Sequence, residues 1–140
     1  MNLDSIVENI EEVVLAVENQ DEVVSLFEDL FGFEFKDSWD MPAYSMKVKS
    51  ARVGGTQFQV VSSANADPDA LITRFIKDKG EGFHHIAFNV SNLDETVAHL
   101  KAKGVKLLPE EPVFEKKADK RFIFVHPRST HGLLIELLGR

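Results

Sequence analysis

The fold is decided by two similar segments, EVVLAVENQDE at residues 12–22 and HIAFNVSNLDE at residues 85–95. Each opens as a short apolar strand and then reaches an asparagine that can cap a helix, with a glutamate three residues later. Apolar residues at helical spacing follow, and they predict helices over 21–31 and 94–103 that each end at a glycine. The chain therefore contains a two-fold internal repeat.

The spacing of apolar residues changes to every second position after each predicted helix, as β-strands require. A further helix over about 68–79 connects the two halves, which run over about 8–65 and 81–139. Strands that cluster after each helix favour an α+β fold over a doubly wound parallel sheet. We expect one domain, residues 1–140, of two tandem β-α-β-β-β modules. The strands predicted after the helices are 33–36, 44–53 and 56–62 in the first half, and 105–108, 121–125 and 133–138 in the second.

Composition excludes several classes of protein. With 140 residues and 44% hydrophobic content, the chain can bury a core of its own. It has no cysteine, so it can form neither a disulfide nor a zinc-thiolate site, and it has no thiol for catalysis. A net charge of −7 without a sustained basic stripe argues against nucleic acid or an anionic membrane as a partner.

The amino terminus lacks the features of a secretion signal. Met1-Asn2-Leu3-Asp4 is acidic where a signal peptide is basic, and no apolar run approaches the roughly 20 residues that span a bilayer. The sequence therefore predicts a soluble, cytoplasmic protein that does not bind membranes.

Four polar residues occupy matching places in the repeat. Glu12 and His85 stand at the first strand of each half, and Gln59 and Glu136 each interrupt the apolar last strand. A carboxylate in such a strand is costly to bury unless it is paired, hydrogen-bonded or bound to a cation. Two carboxylates, an amide oxygen and an imidazole would together suit a divalent metal ion, and this oxygen-rich set fits Mg, Mn, Co or Ni better than tetrahedral structural Zn.

Each of the four residues also has an ordinary interpretation. Glu12 alone is typical of a solvated edge position, Gln59 of a strand without function, and His85 of a histidine hydrogen-bonded within a core. Their equivalence across the repeat is what favours the metal site over these alternatives.

Several motifs resemble the methylmalonyl-CoA epimerases. GFHHIAF at residues 82–88 and RFIFVHPRST at residues 121–130 resemble the second half of that family, and GLLIEL at residues 132–137 extends the resemblance almost to the carboxyl terminus. TQFQV at residues 56–60 is similar to the family's strand that carries a glutamine ligand. The wider group is the vicinal oxygen chelate superfamily, which includes glyoxalase I, extradiol dioxygenases and antibiotic-resistance proteins.

The resemblance implies a fold, a cofactor and an assembly. The fold would be a cup-shaped mixed sheet built from the two modules around one divalent ion, usually in a homodimer. Carried over by position, the metal ligands would be Glu12, Gln59, His85 and Glu136, and the ion would be Co, Mn, Mg, Ni or Zn. The epimerases have histidine where Glu12 stands, so this site would carry one more negative charge.

The resemblance also implies a reaction, the epimerisation of a carbon beside a thioester carbonyl. Two groups on opposite faces of the substrate are needed, one removing the α-proton while the other returns it. The ligand Glu136 would be one of them. The family's second glutamate is absent from the stretch SWDMPAY at residues 38–44, where Asp40 is the candidate if its loop reaches inward.

A turn before the last strand is a candidate binding site for an acyl-CoA substrate. Within HPRST at residues 126–130, Arg128 offers a cation and Ser129 a hydroxyl to a phosphate, although an ordinary polar turn has the same composition. A basic cluster that could steer such an anion is formed by Lys116, Lys117, Lys120 and Arg121.

The preferred function is thus a metal-dependent isomerase that uses the ion to stabilise an enolate. A lyase of the glyoxalase I type would use the same ion and Glu136. A non-catalytic small-molecule binder of the resistance type is the alternative from another class. A dioxygenase is less favoured, because its iron prefers two histidines with one carboxylate.

Overall fold

The computed structural model describes residues 6–116 and 119–140. The acidic segment Met1–Asp4 and Lys117 of the basic cluster lie outside the described residues. No helix in the described part of the chain is both long enough and apolar enough to span a membrane. In chain order the elements are β1 (Val7–Ala16), α1 (Gln20–Phe31), β2 (Asp37–Met41), β3 (Met46–Val53), β4 (Thr56–Ser63), α2 (Leu71–Lys79), β5 (Gly82–Val90), α3 (Leu93–Ala102), β6 (Leu107–Glu115), β7 (Lys120–Val125) and β8 (Ile135–Gly139).

The predicted α+β class and its repeated β-α-β-β-β order are confirmed, with α2 between the two modules. The chain forms two compact units. One consists of Glu12–His84, and the other combines the residues up to Glu11 with His85–Arg140.

The strands of the unit Glu12–His84 follow the order β2-β3-β4-β1, with β1 parallel to β4 and the other pairs antiparallel. Period-two alternation gives this sheet two different faces. On one face Val17 and Val60 pack with Val24 of α1, and on the other Val14 and Val48 pack with Ile72 of α2.

The other unit has the strand order β5-β8-β7-β6, with β5 parallel to β8. Beside β5 lies the start of β1, where the Ser91 N–H donates to the Ile6 carbonyl over 3.0 Å. Val90, Ile123 and Leu137 form the core of this unit with Leu93 of α3. In each unit a helix thus covers an apolar face of its first strand, β1 or β5.

Both predicted helix caps are confirmed. Asn19 accepts a hydrogen bond from the Glu22 N–H over 3.1 Å, and Asn92 accepts one from the Glu95 N–H over 3.0 Å. The first helix ends at Gly32, whose left-handed φ of 70° suits glycine. Local sequence signals therefore fix the start of each helix that precedes a three-stranded segment.

The strand predicted at 33–36 is wrong, since the strand that follows α1 is β2 at Asp37–Met41. Phe33 and Phe35 alternate with polar residues because their rings take part in aromatic packing, not because they lie in a strand. The Phe33 ring packs against those of Phe27 and Phe58, at centroid distances of 5.6 Å and 5.3 Å. These aromatic contacts bury the alternate residues without any ladder pairing.

Other strand boundaries also differ from prediction. A short 3-10 helix at Pro42–Tyr44 delays β3, which begins at Met46 rather than at residue 44. β6 continues to Glu115, well past residue 108, because its ladder with β7 resumes after a register shift between Leu108 and Val113. β8 begins at Ile135, two residues later than predicted.

The close approach of β8 to α3 yields a prediction about stability. A Cβ atom added at Gly139 would lie 2.8 Å from the Cβ of the fully buried Leu93. We expect Gly139→Ala to lower the free energy of unfolding by about 1–3 kcal/mol, because either the strand or the helix must move. Urea denaturation measures this loss. Gly55→Ala is the control, since its Cβ meets nothing within 4 Å, and equal stability of the two variants would contradict the packing argument.

Arg121, a member of the predicted basic cluster, is engaged within the fold. Its guanidinium donates to both carboxylate oxygens of Asp94, over 2.9 Å and 3.1 Å, and to the Arg140 carbonyl over 2.8 Å. Arg121 therefore ties β7 to the first turn of α3.

This ion pair predicts a dependence of stability on pH. The hydrogen bonds from Arg121 lower the pKa of Asp94 below its ordinary value of 3.8. The stabilisation is therefore fully present above that value and is lost as the pH falls through the lowered pKa of the folded state. We expect Asp94→Asn to cost stability at pH 7 and progressively less below pH 3.8, in urea denaturation at each pH. When Arg121 is already replaced by Gln, the stability lost through Asp94→Asn should no longer vary with pH. If it varies as before, the ion pair with Arg121 is not the cause of the pH dependence.

Candidate metal site and catalytic carboxylate

Strand alternation separates the two adjacent histidines of β5. Phe88 and Val90 point into the core beneath α3, so His85, Ala87 and Asn89 occupy the other face of the strand. His84 points the opposite way from His85, and its ring stacks edge-on against Phe75 of α2 at a centroid distance of 4.8 Å. His84 therefore contacts α2, on the opposite face of the strand from His85.

Glu136 lies on the same face as His85 within its unit. β8 runs between β5 and β7, and its ladders place Glu136 directly between Ala87 and Phe124. The Oε1 atom of Glu136 is 3.7 Å from the Nε2 atom of His85, and each side chain is only 13% exposed. The His85 ring also meets the Phe124 ring edge-on, at a centroid distance of 5.6 Å.

The separation of these two atoms fits a pair of metal ligands. At 3.7 Å they are too far apart for a hydrogen bond. Ligand atoms about 2.1 Å from one ion lie about 3.0 Å apart in an octahedral site and about 3.4 Å apart in a tetrahedral one. A small side-chain rotation of His85 or Glu136 would reach either spacing, so the pair passes this test for a divalent ion.

Gln59 occupies the corresponding place in the unit Glu12–His84. The ladders of β4 set it beside Val14 of β1 and Ser50 of β3, and only 6% of its surface is exposed. Its Nε2 atom donates to the Oε1 atom of Gln57 over 3.2 Å. Among the described residues no hydrogen bond reaches the Gln59 Oε1 atom, so this oxygen is available as a ligand.

Glu12 shares the same face of that sheet. It is half-buried in β1 and lies directly beside Gln57 of β4. Because the side chain is half-buried, its alternative interpretation as a solvated residue does not fit.

The ladder registers give Gln59 and Glu136 equivalent positions in the two modules. Gln59 pairs with Val14, two residues after Glu12, and Glu136 pairs with Ala87, two residues after His85. The repeat seen in the sequence therefore extends to strand register. Because register determines which residues are neighbours across a sheet, Gln59 and Glu136 have equivalent positions relative to Glu12 and His85.

Asp40 is not brought to the face that carries Gln59. It lies in the edge strand β2 rather than in a loop, so that part of the prediction is wrong. Trp39 and Met41 pack into the cluster beneath α2, on the same face as Gln59. Alternation places Asp40 on the opposite face, where it is exposed. Its neighbour across the ladder is Lys47 of β3.

The turn predicted to bind an anion forms a 3-10 helix over Pro127–Ser129. The Nδ1 atom of His126 accepts a hydrogen bond from the Arg128 N–H over 3.0 Å, which holds the turn in shape. Arg128 and Ser129 are both exposed, and the Ser129 hydroxyl accepts a hydrogen bond from the Lys106 N–H over 3.4 Å. The structure thus presents the Arg128 side chain at the surface while the Ser129 hydroxyl is partly engaged.

Sequence reasoning missed a polar network on the His85 face of β5. The Lys120 ammonium donates to the Asn89 Oδ1 atom over 2.6 Å, and the Asn89 amide donates to Glu11 over 2.9 Å. The spacing of Asn89 from His85, four residues along one strand, is a signal that could have revealed it. Its link to Lys120 depends on strand pairing and had no signal in the sequence.

Comparison with known proteins identifies the family. Residues 11–124 match the model of the Glyoxalase/Bleomycin resistance protein/Dioxygenase superfamily, and the chain belongs to this superfamily. Within it, the chain is a methylmalonyl-CoA epimerase-like member. It is 29% identical over 126 residues to the mitochondrial methylmalonyl-CoA epimerase of Mus musculus, which covers 89% of this chain and 69% of that protein. With the Homo sapiens enzyme the identity is 28% over 126 residues, covering 89% and 70%.

Solved structures agree with these relatives. The methylmalonyl-CoA epimerase of Mycobacterium tuberculosis superposes with a TM-score of 0.85 at 26% identity, over 99% of this chain and 92% of that one. A methylmalonyl-CoA epimerase in complex with methylmalonyl-CoA and NH4+ gives a TM-score of 0.83 at 26% identity, over 96% and 95%. The predicted fold family is therefore confirmed.

Proposed function

We propose that this protein is an epimerase that removes and returns the proton α to a thioester carbonyl, with methylmalonyl-CoA as its substrate. The observation that carries the proposal is the mostly buried pair of His85 and Glu136, held 3.7 Å apart on one face of its unit. Epimerases of this substrate among the chain's relatives and structural neighbours support the same reaction.

We further propose that Glu12, Gln59, His85 and Glu136 bind one divalent ion, which would be Co, Mn, Mg, Ni or Zn. The support is chemical: two carboxylates, one amide oxygen and one imidazole suit a hard or borderline cation. When bound, the ion would act as a Lewis acid that stabilises negative charge on the thioester oxygen.

In this proposal Glu136 is the group that takes the α-proton. A carboxylate has two oxygens, so Glu136 can bind a cation through one of them and accept a proton at the other. Only 13% of the Glu136 side chain is exposed, and such limited contact with water favours proton transfer between the substrate and the carboxylate. The substrate carbon keeps the electron pair as the enolate, and reprotonation on the opposite face completes the epimerisation.

Return of the proton on the opposite face requires a second group. Asp40 stays a prediction for this role. Its side chain is exposed on the face of the sheet opposite to Gln59, so the structure does not support the role. If Asp40 has no such role, this favours a second function, a glyoxalase-type lyase, which would use Glu136 and the same ion.

An acyl-CoA substrate also requires a place for its phosphates. We propose Arg128 and Ser129 for this role, on the basis of the exposed guanidinium and the turn that supports it. We also expect a homodimer, by analogy with the family.

The test is to measure metal content in protein purified without chelator, and then exchange of the α-proton of methylmalonyl-CoA in heavy water with Co²⁺ or Mn²⁺ restored. Stoichiometric metal with deuterium incorporation is expected. Bound metal without exchange would favour the lyase, which turnover of a glutathione hemithioacetal would then reveal. Protein that binds no metal at any concentration would refute the metal-dependent reaction and favour a small-molecule binder.

A further inference from the structure

A chain of three polar side chains runs from β3 into β4 and ends at Gln59; Ser50 and Gln59 are buried and Gln57 is half-buried. The Ser50 hydroxyl donates to the Gln57 Oε1 atom over 3.1 Å, and the Gln59 Nε2 atom donates to the same oxygen over 3.2 Å. Ser50 is 3% exposed and Gln59 is 6% exposed. Burial of such polar groups costs free energy unless they are hydrogen-bonded, so these contacts stabilise the buried Ser50 and Gln59 side chains.

These contacts decide which atom of the Gln59 amide is available. A glutamine side chain has an oxygen that accepts and a nitrogen that donates, and the two ends have similar size. Because the Gln57 Oε1 atom accepts hydrogen bonds, the Gln59 amide must turn its nitrogen toward Gln57. A rotation by 180° would bring two oxygens together at about the same distance, which is unfavourable. The Gln59 oxygen is therefore directed away from Gln57.

The Ser50 hydroxyl occupies the other end of the chain. The hydroxyl donates to the same Gln57 oxygen that accepts from Gln59, so one oxygen joins the two neighbours. Ser50 lies directly opposite Gln59 in the antiparallel ladder, so all three side chains share one face. In this arrangement Gln57 presents one oxygen to both neighbours, and the Gln59 amide meets it with its nitrogen.

We propose that Gln57 and Ser50 are positioning residues for a cation site, and that they hold the Gln59 amide with its oxygen presented to a divalent metal ion. This inference rests on the proposed metal site and assigns a role to two residues outside the ligand set. Partners that orient a metal ligand typically change affinity by about 10–100-fold when they are removed.

The test measures binding of Co²⁺ by titration calorimetry and by the visible absorption of the bound ion, without any substrate. Gln57→Met replaces the acceptor by an apolar side chain of similar length, and we expect about 10–100-fold weaker binding. Ser50→Ala is a milder variant, in which a smaller loss is expected. Gln20→Met is the matched control, because Gln20 is also buried but donates only to the backbone carbonyls of Lys47 and Val60.

A double-mutant cycle separates positioning from a general structural effect. If Gln57 acts through Gln59, then Gln57→Met should cause no further loss of affinity in a Gln59→Ala background. Additive losses, or unchanged Co²⁺ affinity in Gln57→Met, would overturn the positioning role while leaving the metal site intact. Failure of the wild-type protein to bind Co²⁺ would overturn the metal site itself, and the positioning role with it.

Discussion

Glu136→Gln should reduce the rate of α-proton exchange by about 10²–10⁴-fold, the range that a positioned general base contributes. The amide keeps the size of the carboxylate and an oxygen that can bind a cation, but it cannot accept the proton. Exchange of methylmalonyl-CoA in heavy water, followed by NMR at saturating Co²⁺ or Mn²⁺, isolates this loss from weaker metal binding. Wild-type and variant proteins are compared at equal metal occupancy.

The control for this experiment is Glu111→Gln. Glu111 is an exposed carboxylate in the same unit, paired with Lys101 over 2.9 Å, and its replacement should leave exchange unchanged. If Glu136→Gln exchanges at the wild-type rate with its metal bound, another group is the base and the proposed proton transfer is incorrect. If the variant binds no metal at all, Glu136 is required as a ligand. The rate of exchange in that variant then reports the loss of the ion and not the loss of the base.

The parts of the fold that were predicted correctly are those determined by local sequence. Asn19 and Asn92 each bond to an N–H three residues later, a contact that needs nothing beyond its own helix turn. The strand predicted at 33–36 failed because alternation reports which side chains are buried and not what they bury against. Phe33 meets Phe58, and that contact depends on where β4 lies.

The same distinction applies to the candidate site. His85 and Glu136 could be found because the repeat marks equivalent positions, and the ladder register of each module bears out that equivalence. Gln57 and Ser50 could not be found, because their bond joins two strands and depends on the pairing of Ser50 with Gln59. The face on which Asp40 lies likewise required knowing that its strand begins at Asp37.

His85→Ala should weaken the binding of Co²⁺ or Mn²⁺ by more than about 100-fold, since loss of a direct ligand exceeds the 10–100-fold effect of its outer partners. Among the four proposed ligands His85 alone supplies a nitrogen, the donor that Co²⁺ favours more than Mg²⁺ does. The loss should therefore be larger for Co²⁺ than for Mg²⁺. Titration calorimetry with each ion measures the difference.

His84→Ala is the matched control, because it removes the same imidazole one residue earlier on the opposite face of β5. His84 packs on Phe75, so this variant should lose stability while keeping its affinity for metal. Addition of free imidazole should partly restore Co²⁺ binding to His85→Ala, since the vacated space beside Phe124 can admit the ring. Equal loss of affinity in both histidine variants would show that metal binding depends on the integrity of the strand rather than on His85 as a ligand.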